Sequence, residues 1–262
     1  MANKEKGILY YSIATCEPGD SPAPHVRTVV HRGFVNEQRD AQSKTGVKPF
    51  DSSFGSNSCL ITTTDVRAPK AQQITKCLEE AKIARGEISW WMESKNLQIR
   101  LAGTLHLLPR PDHGAIKYFD GPSLAPPSSP SPSTDSAFDW ARERKRIFEK
   151  LSPGLLASFA RPTPGSPHPN SANLSARGGP GSLDERAKDK LESPWPLELP
   201  QPGKEASEEQ KELLAEAEKN FALIILSPEE VDVLDLQSDK RSLFTRVQSS
   251  PNSDWHEKRL VP

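Results

Sequence analysis

Cysteine is scarce in this 262-residue chain. Cys16, Cys59 and Cys77 are the only three, and no two stand at C-x-x-C spacing. So sparse and odd a set excludes a disulfide framework and a zinc ribbon, and it reads as reduced thiols. Burial in apolar patterns is the expected role of Cys59 and Cys77. The six histidines show no metal-ligand spacing, so no metal site is expected. Neither sign of charge dominates: 34 Lys and Arg stand against 35 Asp and Glu, a net charge of −1. No global field therefore draws the chain to nucleic acid or to an anionic membrane. No run of about 18 apolar residues is present, so no membrane span is expected. The first twenty residues, MANKEKGILYYSIATCEPGD, carry no long apolar segment, and a signal peptide is not expected either. Reduced thiols fit a cytosolic or nuclear setting, and a cytoplasmic location is expected. A phosphate-binding P-loop, GxSxG and HExxH are missing, and the GGPGS at 178–182 follows no strand and lacks the GxGxxG order.

Hydrophobic content is also low, 34%, against a globular average of about 45–50%. Proline shows where the shortfall lies: 17 of the 25 prolines fall between residues 109 and 202. Segments 109–136 and 161–205 hold Pro/Ser-rich runs with too little apolar surface to offset the entropy of ordering. They are expected to be disordered insertions within a single domain spanning 1–262. The flanking parts alternate and branch like strands: 7–16, 24–35, 58–64, a hairpin of 87–94 and 97–108, then 230–236 and 241–248. Helical periodicity predicts helices over 69–86 (Ile74, Cys77, Leu78 and Ala81 on one face, Gly86 as a stop), over 138–152, and at the start of 207–227. The basic run WARERKRIFEK (140–150) reads as a solvated helix face with an apolar stripe. Strands outnumber helices and follow one another in hairpin-like pairs. That argues for a mostly β fold, an antiparallel sheet curled into a barrel with helices outside. Of Trp90 and Trp91, adjacent on a strand, one is expected inside and one outside.

One stretch carries chemistry. In LITTTDVRAPKAQQI (60–74) a β-branched run stops at Asp65, and Arg67 and Lys70 then flank Pro69 where a helix begins. Proline suits the first helical position, but cations there oppose the helix dipole. Two cations beside free N–H groups suit a bound phosphate.

Four segments in order, RTVVHRGF (27–34), TTTDVRAPKAQQI (62–74), EISWWMESKNLQIRLAG (87–103) and WHEKRLVP (255–262), resemble the pyridoxamine 5′-phosphate oxidase-like family, in its Alr4036-like branch. The resemblance implies an FMN-binding split antiparallel β-barrel with the long Pro/Ser-rich segments inserted. It implies FMN as cofactor, with Arg27 and Lys70 on its phosphate, Val29 and Val30 lining the ring through the backbone, Arg32 near the flavin, Thr63 and Thr64 at the strand end, and Gln98 touching the flavin. Arg67 stands in for an arginine that the oxidases place where this chain has Pro69. A homodimer is implied, because the family holds its flavin between two subunits. The oxidases' substrate-binding Arg-x-His maps onto Arg241 and Leu243, so the histidine is lost and pyridoxamine phosphate is disfavoured as substrate. An FMN-dependent oxidoreductase of unknown substrate, with no catalytic residue assigned, and a non-catalytic flavin-binding or partner-recruiting protein both fit.

Overall fold

A computed structural model describes residues 9–37, 50–128, 137–167, 194–247 and 254–262. The apolar, β-branched runs form one antiparallel sheet. Its strands are β1 (Tyr10–Glu17), β2 (Ala23–Val30), β3 (Leu60–Asp65), β4 (Arg85–Met92), β5 (Leu97–Leu108), β6 (Phe221–Asp235), β7 (Lys240–Arg246) and β8 (Trp255–Leu260). Their order is β2-β1-β4-β5-β6-β7-β8, with β3 paired to the first half of β6. Because β6 is fifteen residues long, its first half pairs with β3 on one side while its second half pairs with β7.

The sheet closes on itself where the chain leaves β2. Arg32 N–H donates to the Ile61 carbonyl (2.8 Å), Ile61 N–H to Gly33 (2.9 Å) and Val35 N–H to Cys59 (3.0 Å). Nearer the start of β2 the ladder is absent among the described residues, and a side-chain bond from Thr62 Oγ1 to the Val30 carbonyl (2.8 Å) stands in its place. The barrel is therefore split between β2 and the end of β3, as expected of a split antiparallel β-barrel.

Strand parity sorts the side chains. Tyr11 and Ile13 of β1, Leu60 of β3, Ile88 and Trp90 of β4, Leu101 and Leu105 of β5, and Ala222, Ile224 and Leu226 of β6 form the inner core. Helix α1 (Pro69–Glu80) adds Ala71, Ile74 and Leu78 to it. The opposite face of β3 and β6, with Ile61, Phe221, Leu223 and Ile225, is covered by α3 (Trp140–Phe148), α4 (Pro153–Phe159) and α5 (Glu208–Asn220). Trp90 is buried and Trp91 is 45% exposed, as the alternation requires.

Several expectations are corrected. Helix α1 ends at Glu80, not at Gly86, because Lys82 takes the left-handed turn (φ 60°). Gly86 instead sits in β4 opposite Gly103, where an added Cβ would lie 2.8 Å from the Ala14 carbonyl oxygen. The basic run is not a solvated face: Glu143, Arg144 and Arg146 are each buried. Glu143 pairs with Arg146 at 2.7 Å and accepts the Asn36 N–H, while Arg144 donates to the Phe221 carbonyl at 2.9 Å. These charges are satisfied inside because each finds an ion partner or a backbone carbonyl. Cys59 is buried, whereas Cys77 is half-buried.

Parts of the two Pro-rich segments are packed. Residues 109–128 include a 3₁₀ turn (Gly114–Tyr118) and α2 (Gly121–Leu124), whose Leu124 is buried. Leu199 is 2% exposed and its N–H donates to the Pro153 carbonyl. A few well-spaced apolar side chains suffice to dock such segments on a preformed surface, and proline lowers the entropy lost on docking. The rest, 129–136 and 168–193 with the GGPGS run, lies outside the described residues. No helix among those described is long and apolar enough to cross a membrane. Among the same residues no cluster of three or more His, Cys, Asp or Glu is placed to hold a metal.

Candidate functional site

The end of β3 and the start of α1 build the site. Thr63 and Thr64 lead into Asp65, and the chain turns through Arg67 to the uncapped N-terminus of α1. Ala68 is the N-cap, no side chain caps it, Pro69 follows, and the first turn holds no acid. The helix thus offers unneutralised dipole charge at a point where the sequence places Lys70.

Lys70 is half-buried and makes no hydrogen bond or ion pair among the described residues. Burial, and then the nearby charge of Arg27, hold its ammonium pKa below the ordinary lysine value; Asp65 opposes them. Arg27 approaches from β2. It lies opposite Ile13 in the ladder, so its side chain shares the inward face and reaches the helix. Its guanidinium donates to Thr15 Oγ1 (2.5 Å), to the His25 carbonyl (3.0 Å) and to Gln73 Oε1 (3.2 Å), one turn beyond Lys70. All three acceptors are neutral, and burial lowers the Arg27 pKa. Two neighbouring cations, neither neutralised by a carboxylate, face an open helix start. That arrangement is costly in the free protein and favourable once an anion arrives.

Asp65, the carboxylate whose charge acts on Lys70 among the described residues, is already occupied. Arg67 grips Asp65 in a two-pronged contact, Nε at 3.0 Å and Nη2 at 2.7 Å, and donates further to the carbonyls of Phe159 (3.3 Å) and Arg161 (2.8 Å). Asp65 raises the Arg67 pKa. Arg67 is therefore committed to a carboxylate and to the chain end of α4; its contribution is to neutralise Asp65.

A cavity of about 430 Å³ opens here. Thr63, Thr64, Ala68 and Lys70 form one wall, and Ser158, Phe159, Arg161 and Pro162–Pro164 form the other. The volume suits a small-molecule cofactor. The sequence reading missed this second wall, above all Arg161, whose buried Nε has no hydrogen-bond partner. An arginine beside prolines 91 residues from Lys70 gives no local sign that packing of α4 brings the two together. Thr64 is buried, with its hydroxyl donating to the Asp65 carbonyl.

The remaining sequence candidates lie elsewhere. Val29 is buried in the inner core, and Val30 offers its carbonyl to Thr62. Arg32 stands at the far end of β2, five residues or roughly 16 Å from Arg27 at strand spacing, and lines a different cavity. Gln98 pairs across the ladder with Trp91 on the outward face, opposite in parity to the inward Leu101. Arg241 is not open to a substrate either: it binds Asp232 through Nε at 3.0 Å and Nη2 at 2.7 Å.

The fold defines a class, the split antiparallel β-barrels. Residues 1–109 are similar to the family described as "Pyridoxamine 5'-phosphate oxidase, FMN-binding domain". Among solved structures, a pyridoxamine 5′-phosphate oxidase-related, FMN binding protein from Nostoc punctiforme PCC 73102 is 24% identical. The match covers 98% of this chain and 90% of that one, with a TM-score of 0.54. PhzG from Burkholderia lata 383, solved in complex with tetrahydrophenazine-1-carboxylic acid, is 14% identical over 100% of this chain and 86% of that one, with a TM-score of 0.41. Comparison with curated proteins gives no match. The cofactor of the family is FMN. The free Lys70, the neutral surroundings of Arg27 and the orphaned Arg161 Nε fit its phosphate.

Proposed function

We propose that this protein is an FMN-dependent oxidoreductase acting on a small molecule other than pyridoxamine phosphate, in the cytoplasm and as a homodimer. The observation that carries the reading is Lys70: a half-buried ammonium without a partner, beside Arg27 and at an uncapped helix start. Lys70, Arg27 and the α1 N-terminus hold the phosphate, with Arg161 closing the cavity from the other wall. Bound FMN supplies a hydride acceptor at N5 and passes electrons on. The protein's task is to bind the cofactor, orient it and keep water from it. Loss of the Arg-x-His histidine to Leu243, and the commitment of Arg241 to Asp232, both argue against pyridoxamine phosphate.

The homodimer rests on the outward face of β4 and β5. Trp91 is 45% exposed there and Gln98 lies directly across from it, turned away from the split beside Arg27. A glutamine so placed serves a flavin only if a second copy brings its own cofactor to that face. Sedimentation of the FMN-loaded protein, compared with Trp91→Glu, tests this, and a monomer in both cases removes the dimer.

The catalytic reading is tested by anaerobic titration of the FMN-loaded protein with NADH, NADPH and primary amines. Bleaching of the flavin band followed by its return in air is the expected outcome. If no reductant bleaches it, the oxidoreductase reading fails and a flavin-binding protein without turnover takes its place.

A further inference from the structure

Part of the second wall of the cavity at Lys70 is a short stretch, RPTPGSP (161–167). Its sequence makes a turn. Proline at the second position and glycine at the third suit type II, which needs a positive φ at the third. Gly165 has φ 87°, and Ser166 N–H donates to the Thr163 carbonyl at 3.0 Å. Residues 162–167 are exposed, and beyond this turn no backbone hydrogen bond holds them among the described residues. The stretch can therefore be drawn out by a partner at little cost. Thr163 stands at the first turn position and is followed directly by Pro164. Its hydroxyl makes no hydrogen bond among the described residues. An exposed Thr-Pro of this kind is the acceptor that proline-directed protein kinases take. Thr163, Lys70 and Arg161 line one cavity. Lys70 has no partner among the described residues, and Arg161 keeps a buried Nε without one. The hydroxyl thus stands beside cations that lack an anion.

We propose that Thr163 is a phosphorylation site for a proline-directed protein kinase, and that the phosphate placed there occupies the cations Lys70 and Arg161 and excludes FMN. The exclusion rests on the reading that the FMN phosphate is held at Lys70; the modification does not. In the transfer a bond forms between the γ-phosphorus of ATP and Thr163 Oγ1. The bond from that phosphorus to ADP breaks, ADP leaves, and the hydroxyl proton is released. The product is a phosphate monoester, the same group that FMN carries, with about −1.5 to −2 charge and three acceptor oxygens. Tethered to the cavity wall, it competes at the effective concentration that a short chain sets. Two such dianions repel each other too strongly to share one pair of cations. Ser166-Pro167 repeats the dipeptide on the same wall, but five residues from Arg161 where Thr163 is two.

The test treats the full cofactor-free chain with a cyclin-dependent or mitogen-activated protein kinase and ATP, and locates the phosphate by mass spectrometry. Flavin fluorescence titrations with FMN and with riboflavin follow, before and after treatment. Thr163 should be modified, and FMN should then bind at least about tenfold more weakly while riboflavin changes far less. In Thr163→Val, kinase treatment should leave the FMN affinity where it stood before treatment; in Ser166→Ala the loss on treatment should persist. A second readout needs no flavin. In phosphorus NMR of the cofactor-free phosphoprotein, the phosphate on Thr163 should titrate clearly below the usual value near 6, and Lys70→Ala should return it toward that value. No incorporation at Thr163, an FMN affinity indifferent to it, equal weakening of riboflavin, or a titration like that of a free phosphopeptide would each overturn the proposal. If the phosphate on Thr163 titrates with Lys70 but FMN affinity never depended on Lys70, the cofactor reading fails and the exclusion of FMN falls with it. If FMN affinity depends on Lys70 but not on Thr163 phosphorylation, the proposal fails by itself.

Discussion

Replacing Lys70 by alanine separates the phosphate contact from everything else the protein does. In the free protein Lys70 bonds to nothing and is repelled by Arg27. Its removal should therefore leave the stability of the cofactor-free protein unchanged or slightly raise it. With FMN bound, a charge-assisted contact worth about 1.5–3 kcal/mol is lost, which weakens binding by about 10- to 150-fold. Riboflavin carries the same ring but no phosphate, so its affinity should be the same for both proteins. The assay is quenching of flavin fluorescence on titration, performed for FMN and riboflavin with wild type and Lys70→Ala. The four dissociation constants form a cycle in which the coupling belongs to the pair of lysine and phosphate alone. Equal weakening of FMN and riboflavin would refute the reasoning, because Lys70 would then shape the pocket rather than neutralise an anion. Arg27 gives a less clean version, since it also holds Thr15 and Gln73.

Other residues should respond in ways that the packing dictates. Arg67→Ala frees Asp65, the carboxylate whose charge reaches Lys70. FMN binding should weaken several-fold although Arg67 does not itself face the phosphate, and Asp65→Asn in the same chain should restore it in the same fluorescence titration. Glu143→Gln removes from the buried Arg146 a carboxylate that lies 2.7 Å away in the native protein. It should lower stability in urea unfolding by up to about 3–5 kcal/mol, with FMN affinity per folded molecule unchanged. His31 has its pKa lowered from 6.5 to about 4 by burial, so between these values the unfolded chain binds a proton that the folded chain refuses. Stability should fall as pH drops from 6.5 toward 4 and level off below, by up to about 3 kcal/mol. His31→Phe should remove that part of the acid sensitivity in unfolding curves measured at pH 7 and pH 4.5.

How far the sequence leads can be followed residue by residue. The β-branched runs around Ile13, Ile61 and Ile88 place the strands, and the alternation of Trp90 with Trp91 is read correctly because strand parity is a local property. The closure of the barrel is not legible. It is made by backbone groups of Arg32, Gly33 and Val35 beyond the apolar run of β2, and backbone hydrogen bonds leave no trace in side-chain pattern. Segment 207–227 reads as a helix that ends as a strand, and 230–236 reads as a separate strand. The two strands form one continuous β6 because a bulge opposite Ala102 and Gly103 takes up Glu229, leaving Pro228 in register with Gly103. The charged face of α3 misleads for a related reason. Composition shows that Glu143, Arg144 and Arg146 are charged but not that Asn36 and Phe221 wait to receive them. At the site, Pro69-Lys70 after a strand points to an anion through helix-end electrostatics alone. The role of Arg67 is invisible without the geometry that gives it to Asp65, and Arg161 enters only through the docking of α4.

The central claim is that a phosphate monoester sits between Arg27, Lys70 and the start of α1, and phosphorus NMR of the FMN-loaded protein addresses it directly. A free phosphate monoester takes up its second proton near pH 6, at about the value known for phosphorylated side chains. Held by two cations and an open helix end, it should stay dianionic, its resonance displaced from that of free FMN and fixed from pH 8 down to pH 5. A resonance that moves with pH as free FMN does, in wild type and in Lys70→Ala alike, would contradict the claim.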